Sequence, residues 1–322
     1  MQDFSVYSDK KIVVTGGAGF IGSHICEELV GLGADVHCVD NYSAGKKKNI
    51  ALLGSCRNFH EHDADVCDKA AMEPILENAW VVFHNAASKK NVCLVDPHRD
   101  LEVNAGGTLN LLQIAKDRGV RKFVHASTGS VYGEPTVFPT DETHQLRPVS
   151  YYGVSKLAGE RYVDAFNRLY GLDTTILRYF HVYGPRQESN EFGGVVSIFI
   201  RNILEGKDLT IFGDGTQLRS FTWVKDLVFA NLRAGLEPIA SGKVYNAASG
   251  IKVTINELAE GILRLMKVKT GSRIIYGPPL VGDIMYFNVA NDSIRGDLGL
   301  EFNVDFWGTL ERTLDEFTGS IA

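Results

Sequence analysis

From Lys11 to Asp40 the apolar and polar positions switch between two periods. Ile12-Val13-Val14 is a short continuous apolar run, the pattern of a strand buried on both faces. Glycines follow at Gly16, Gly17, Gly19 and Gly22, then apolar residues recur with helical spacing from Ile21 to about Leu32 and close on Gly33. A second apolar run, Val36 to Val39, ends in Asp40. The reading is strand, tight glycine turn, helix, strand, carboxylate. The alternation continues with strands at 59–62, 80–84, 123–127 and 174–178, and with helices near 69–78 and from Asp96-Pro97 onward. Strands separated by helices predict a parallel, doubly wound α/β sheet. Sites in such sheets lie at the carboxyl ends of the strands. Farther on, Val244 to Gly250 reads as strand then turn, Thr254 and Glu257 as a capping box, and Phe306 to Phe317 as an amphipathic closing helix.

The glycine turn carries chemistry. Glycine admits φ > 0 and lets the backbone approach a pyrophosphate closely. The N–H groups and dipole at a helix start favour phosphate charge. A carboxylate ending the second strand can accept hydrogen bonds from both hydroxyls of an adenosine ribose and repels a 2′-phosphate. A glycine cluster alone is as readily a structural turn. The flanking strand and helix, with Asp40 about 20 residues on, single out a dinucleotide site. Gly16, Gly19, Gly22 and Asp40 are its residues, and the cofactor expected is NAD.

The 322 residues are 44% hydrophobic with a formal net charge of −6, which suits about two domains and argues against a nucleic-acid partner. The one short basic run, Lys46-Lys47-Lys48, reads as a solvated loop. No apolar stretch approaches the roughly 20 residues of a membrane span. The polar start lacks a signal-peptide core, so no membrane partner and a cytoplasmic location are expected. Cys26, Cys38, Cys56, Cys67 and Cys93 form no C-x-x-C pair and suit reduced thiols. No histidine cluster has metal-ligand spacing in the sequence, so no metal is expected.

After the fifth strand come Ser127 and Thr128, and a polar loop leads to Ser150 and Y-Y-G-V-S-K. Tyr152 and Lys156 are four apart, which on a helix puts them on one face with about 5–6 Å between Cβ atoms. Tyrosine, with a reference value of about 10, is a poor base at neutral pH, and a neighbouring ammonium lowers that value. A Thr128 hydroxyl can share a hydrogen bond with a substrate alcohol. Such a set suits removal of a proton from a secondary alcohol while a hydride leaves its carbon. Y-x-x-x-K is common by chance, and Tyr151 competes with Tyr152.

The G-x-x-G-x-x-G turn within TGGAGFIGSH, the H-x-A-A at 84–87, the S-T-x-x-V-Y-G at 127–133 and the Y-x-x-x-K together resemble the extended short-chain dehydrogenase/reductase family, along nearly the whole chain. Its members act mostly on nucleotide-activated sugars. The resemblance implies a Rossmann domain, 1–180 with parts of 222–247, and a smaller, mostly C-terminal α/β substrate-binding domain, 181–322, with crossings near 180, 222 and 248. It selects Tyr152 as acid/base, Lys156 for tuning and ribose binding, and Thr128 for substrate orientation. At the cofactor it adds Phe20, Ile21, Asn41, Ala86, Ala87, Lys89, Asn104, Ser127 and Tyr179, with Asp65 and Val66 against the adenine. Helices near 97–118 and 150–169 would join two copies as a homodimer.

From Gly193 the chain resembles the substrate segment of nucleotide-sugar epimerases. That resemblance implies Arg219 on the diphosphate, since guanidinium matches phosphate bidentately. It puts His181, in place of the usual asparagine, and Asp283 at the substrate, and has Asp226 tie the segment to the first domain. Leu280 stands where an arginine is expected and Met285 at another basic position. The family's 4,6-dehydratases carry an Asp-Glu pair after the threonine, and its decarboxylases a glutamate at the second of those places. Here they are Gly129 and Ser130. The function expected is NAD-dependent epimerisation of a nucleotide sugar at C4, with a UDP-hexose foremost, as in the UDP-glucose 4-epimerases. The alternatives are a 4-keto-sugar reductase, a dehydratase or decarboxylase of the same family, and a cofactor-sensing protein that would not need Tyr152 and Lys156 together.

Overall fold

A computed structural model describes residues 4–88, 90–189, 193–266, 271–280 and 284–319. Two expected site residues, Lys89 and Asp283, lie outside the described residues. The first elements are β1 (Lys11–Thr15), α1 (Phe20–Gly31), β2 (Asp35–Asp40), β3 (Phe59–Asp63), α2 (Lys69–Leu76) and β4 (Val81–His84). Next come α3 (Lys90–Val95), α4 (Pro97–Leu101), a π-helical stretch Glu102–Gly107, α5 (Thr108–Asp117), β5 (Lys122–Thr128), α6 (Tyr151–Tyr170) and β6 (Thr174–Tyr179). Farther on lie α7 (Val195–Leu204), α8 (Val224–Leu236) and a strand Lys243–Ala247.

The Lys243–Ala247 strand, β6, β5, β4, β1, β2 and β3 form one seven-stranded parallel sheet in that order. The winding reverses between β1 and β4, so a crevice opens at their carboxyl ends. Alternate side chains serve opposite faces. Ile12, Val14, Val36 and Cys38 pack with Ile25 and Leu29 of α1 and Leu227 and Val228 of α8. Val13, Val39 and Val82 pack with Leu111, Leu112 and Val163 on the other side. Burying each such side chain stabilises by about 1.5–3 kcal/mol. A separate core joins Phe199, Ile200, Leu209, Phe221, Trp223, Leu258, Ile262, Phe306 and Leu310.

Local signals explain most element ends. Glu257 N–H donates to Thr254 Oγ1 at 3.1 Å and Thr254 N–H to Glu257 Oε2 at 2.8 Å, the expected reciprocal cap. One expectation changes. The helix opening at Pro97 is interrupted by the π-helical stretch, where a Cβ on Gly107 would lie 2.7 Å from Val66 Cγ2, so the glycine serves close packing there. Helix α2 is capped by Asp68, which accepts from Ala71 N–H at 3.1 Å. Asp226 accepts from Asn303 N–H at 2.8 Å and so ties α8 to the C-terminal region. The five cysteines form no disulfide. Among the described residues no helix is long and apolar enough to cross a membrane.

Gly22 is fixed by contact. A Cβ there would stand 2.1 Å from Gly16 O, whereas at Gly31 nothing lies within 4 Å. Gly22→Ala should therefore lose about 1–3 kcal/mol, the range for overpacking, while Gly31→Ala should gain up to about 1 kcal/mol of helix propensity. Thermal denaturation of the two variants checks this; equal melting temperatures would show that the turn yields.

Candidate active site

The carboxyl ends of β1, β2, β4, β5 and β6 and the starts of α1 and α6 enclose a cleft of about 470 Å³. Gly16 sits at φ 66°, and a Cβ on it would meet Ala86 N at 2.8 Å, so this turn needs glycine twice over. Gly19 caps α1 with no side-chain acceptor, and Gly19, Phe20, Ile21 and Gly22 line the cleft. First-turn N–H groups of α1 are thus left to an anionic ligand.

Asp40 is 8% exposed and fixed by two backbone donors, Ala18 N–H at 3.0 Å and Tyr42 N–H at 2.9 Å. Beside it Asn41 donates to Asp65 Oδ2 at 2.9 Å. Asp65 also accepts from Cys67 N–H at 2.8 Å and pairs with Arg99. Burial pushes the Asp65 carboxyl up, but these hydrogen bonds outweigh it and hold the group below the usual carboxylate range. Val66, Ala86, Ala87, Ser127 and Tyr179 complete the expected wall, and Arg99, Asn85 and Gln187 join it. Two buried atoms on that wall, Asn85 Nδ2 and Gln187 Oε1, have no hydrogen-bond partner in the protein. A glycine cradle, an uncapped helix start, a fixed carboxylate and unmet polar atoms fit a dinucleotide.

Tyr152 and Lys156 line the other end of the cleft. The Thr128 hydroxyl, bonded to Ser130 Oγ at 3.3 Å and accepting from Ser130 N–H at 3.2 Å, lies close enough to the Tyr152 phenol to lower its pKa. Burial, helped by the Asp100 charge, pushes Tyr152 up to about 12 against the lowering effect of Thr128. This corrects the expectation that Lys156 lowers it: the charge the buried phenol feels most is negative. Lys156, 2% exposed, is lowered by burial to about 8, with Glu160 and Asp100 acting to raise it.

The charges behind Lys156 are themselves held. Glu160 and Arg178, 2% and 3% exposed, pair bidentately at 2.9 and 2.8 Å. Ser127 Oγ donates to Glu160 Oε1 at 2.6 Å, and Arg178 donates to Tyr132 Oη at 2.8 Å. Asp100, 1% exposed, accepts from Asn104 Nδ2 at 3.0 Å. Asn104 does not reach the cleft. Its amide also donates to Ser155 Oγ at 2.9 Å and accepts from Ser88 N–H at 2.9 Å, so it positions the 85–88 loop instead of touching a cofactor.

His181 and Arg219 lie apart from this cleft. They meet around Phe287, the His181 ring at 4.8 Å between centroids and the guanidinium 5.9 Å from the ring centre. Arg219 donates to Ile284 O at 2.7 Å. His181 has φ 33°, in the left-handed region that asparagine and histidine tolerate better than most residues, which accounts for either one standing there. A Cβ on Gly129 would lie 2.4 Å from Phe180 Cε1. Sequence reading missed Arg99, Asp100 and Gln187; each is brought to the site by chain crossing or helix register, and no spacing announces it.

The model of the NAD dependent epimerase/dehydratase family matches residues 12–248. A protein of Methanocaldococcus jannaschii described as a putative UDP-glucose 4-epimerase is 40% identical over 85% of this chain and 87% of its own. A UDP-N-acetyl-alpha-D-glucosaminuronate decarboxylase of Bacillus cytotoxicus is 37% identical over 84% of each. The crystal structure of a Thermotoga maritima UDP-glucose 4-epimerase with UDP-glucose, 37% identical, superposes with a TM-score of 0.91 over 97% of this chain and 100% of that one.

Asp100→Asn removes a negative charge that raises both Tyr152 and Lys156. The Lys156 midpoint, followed by NMR of 13Cε-labelled lysine, should move below its wild-type value near 8, while the exposed Glu102→Gln should leave it in place. An unmoved midpoint in Asp100→Asn would remove Asp100 from the electrostatics of the site.

Proposed function

This chain belongs to the NAD dependent epimerase/dehydratase family, and from that premise we propose that it inverts C4 of a UDP-hexose through a 4-keto sugar, without net redox. One observation carries the choice of reaction. Tyr152 faces the cleft beside Lys156, and the two residues after Thr128 supply no carboxylate. Gly129 has no room for a side chain, since a Cβ would overlap Phe180. By the family resemblance, elimination relies on an Asp-Glu pair at those two places and decarboxylation on a glutamate at the second, where Ser130 stands. The relatives named above include a decarboxylase, so this difference, not overall identity, decides the reading.

In this reading Gly16, Gly19 and the N–H groups of Phe20 and Ile21 hold the pyrophosphate. Asp40 and Asn41 hold the adenosine ribose, and Asp65 and Val66 flank the adenine. Asp40 also disfavours NADP and with it the reductase alternative. NAD, when bound, would supply hydride exchange with C4. Tyr152 Oη takes the proton of the C4 hydroxyl and gives it back to the same oxygen once the keto sugar has turned its other face, while Thr128 holds that oxygen. Lys156 binds the nearby ribose. Arg219 carries the diphosphate, because Leu280 offers no charge.

An NMR time course on UDP-, GDP-, CDP- and dTDP-hexoses without added reductant tests the function. Inversion is expected; stoichiometric NADH consumption, or loss of water or carbon dioxide from the sugar, rejects it. Tyr152→Phe should lose at least about 10²-fold in turnover, the low end for acid–base groups, and exposed Tyr151→Phe far less. Arg219→Ala should raise KM about ten-fold, equivalent to 1.4 kcal/mol.

The reading includes a homodimer. Leu101 on α4 and Val154, Tyr162 and Leu169 on α6 are 53, 53, 41 and 72% exposed, more apolar surface than helices facing water usually carry. Light scattering should give twice the chain mass; a monomer at assay concentration rejects it. A cytoplasmic location goes with reduced thiols, and cell fractionation checks it.

A further inference from the structure

At the amino-terminal half of β2 and along edge strand β3, four side chains with metal-binding atoms share one face. The parallel register pairs His37 with His60 and Val39 with His62, and the two-residue period puts Asp35 beside His37 and His62 beside His60. Asp35 Oδ1 lies 2.8 Å from His60 Nε2, and Asp35 Oδ2 lies 3.4 Å from His37 Nε2. The ligand atoms of Asp35, His37 and His60 all fall within 4.8 Å of one another. Two donors on one tetrahedral zinc stand roughly 3.3 Å apart, so the two measured separations bracket what an ion needs. The side chains that must adjust, Asp35 and His60, are 41 and 44% exposed.

The fourth residue sets the chemistry of the second. His37 Nδ1 is 2.9 Å from His62 Nε2, and the two rings stack at 5.0 Å and 10°. If His37 donates from Nδ1, its Nε2 carries the lone pair and points to Asp35 and His60. An outer imidazole fixing the tautomer of a ligand imidazole is a recurrent device of metal sites. The Lys11 ammonium is drawn away to Glu77 O, 2.8 Å distant at the end of α2.

We infer that Asp35, His37 and His60 form a binding site for a zinc-class divalent ion, oriented by His62 and distinct from the cofactor cleft. Two imidazoles and one carboxylate favour zinc or a neighbouring transition metal over magnesium or calcium, which take oxygen ligands. Water completes the fourth position. Asp40, at the far end of β2, is five residues away, or about 17 Å at strand rise. The ion therefore pins edge strand β3 to β2 and takes no part in the reaction. Binding needs the lone pair of His60 Nε2, so a ring that donates from that atom to Asp35 must then carry its proton on Nδ1.

The test uses the full chain without an affinity tag, stripped with a chelator and titrated with zinc chloride by calorimetry, with cobalt chloride as a spectroscopic probe. One ion per chain should bind, raise the melting temperature, and give a cobalt d–d band without a thiolate charge-transfer band. His60→Gln and Asp35→Asn should each weaken binding at least about ten-fold, and His62→Phe by roughly 10–100-fold, as outer partners do. Turnover in His60→Gln should match the wild type. No heat and no thermal shift with zinc, equal affinity in His60→Gln and wild type, or a thiolate band with cobalt would each overturn the site. Turnover that tracks zinc occupancy would overturn its separation from the cleft.

Discussion

The ammonium of Lys156 sits in a dry place, 2% exposed, and much of the surrounding structure answers to that fact. Removing a charge from water costs several kcal/mol unless partners compensate. Asp100 and Glu160 are the compensating carboxylates, and both act to keep Lys156 protonated. Glu160 is in turn matched by Arg178, so two buried cations face two buried anions. The four come from three parts of the chain: Asp100 from α4, Lys156 and Glu160 from one face of α6, Arg178 from β6. Burial, and after it the same Asp100 charge, push the Tyr152 phenol up to about 12. A positive charge brought by bound NAD would act on that proton in the opposite sense.

The π-helical stretch belongs to this arrangement. Helical wide turns recur at functional sites because they change which residues share a face. Here the turn follows Asp100 directly and contains Asn104, whose amide joins Asp100, Ser155 and the Ser88 backbone. One side chain thus connects α4, α6 and the loop after β4 that closes the cleft. Opposite it, the contact of Gly22 with Gly16 O seats α1 against the turn, so the helix start and Tyr152 face each other across a fixed gap.

What could be read from the sequence was what short segments decide. Strand, glycine turn, helix and Asp40 follow from periodicity and from backbone limits on glycine, and the Thr254–Glu257 cap from four consecutive positions. The expected cofactor wall assembled because its residues sit at strand ends, where the topology places any site. Failures came where distant parts of the chain meet. The Tyr152 shift depends on burial and on Asp100, which lies 52 positions earlier in the chain. The Asn104 amide could have faced either the cofactor or the protein. Asp35, His37 and His60 carry no spacing signal, because sheet register alone brings them together.

Packing also limits which reaction the site can adopt. Phe180, 2% exposed, fills the space into which residue 129 would project. It is braced by Tyr132, stacked at 6.3 Å, and by Phe287, edge-on at 5.9 Å. Tyr132 is bonded to Arg178, and Phe287 touches His181 and lies under Arg219. An acid at position 129 therefore requires a smaller or displaced ring at 180. Displacing that ring disturbs the buried charge pair on one side and the His181–Arg219 group on the other. The absence of an eliminating acid is thus built into an aromatic wall, and the choice between inversion and elimination rests on the pair 129 and 180 together, not on either residue alone.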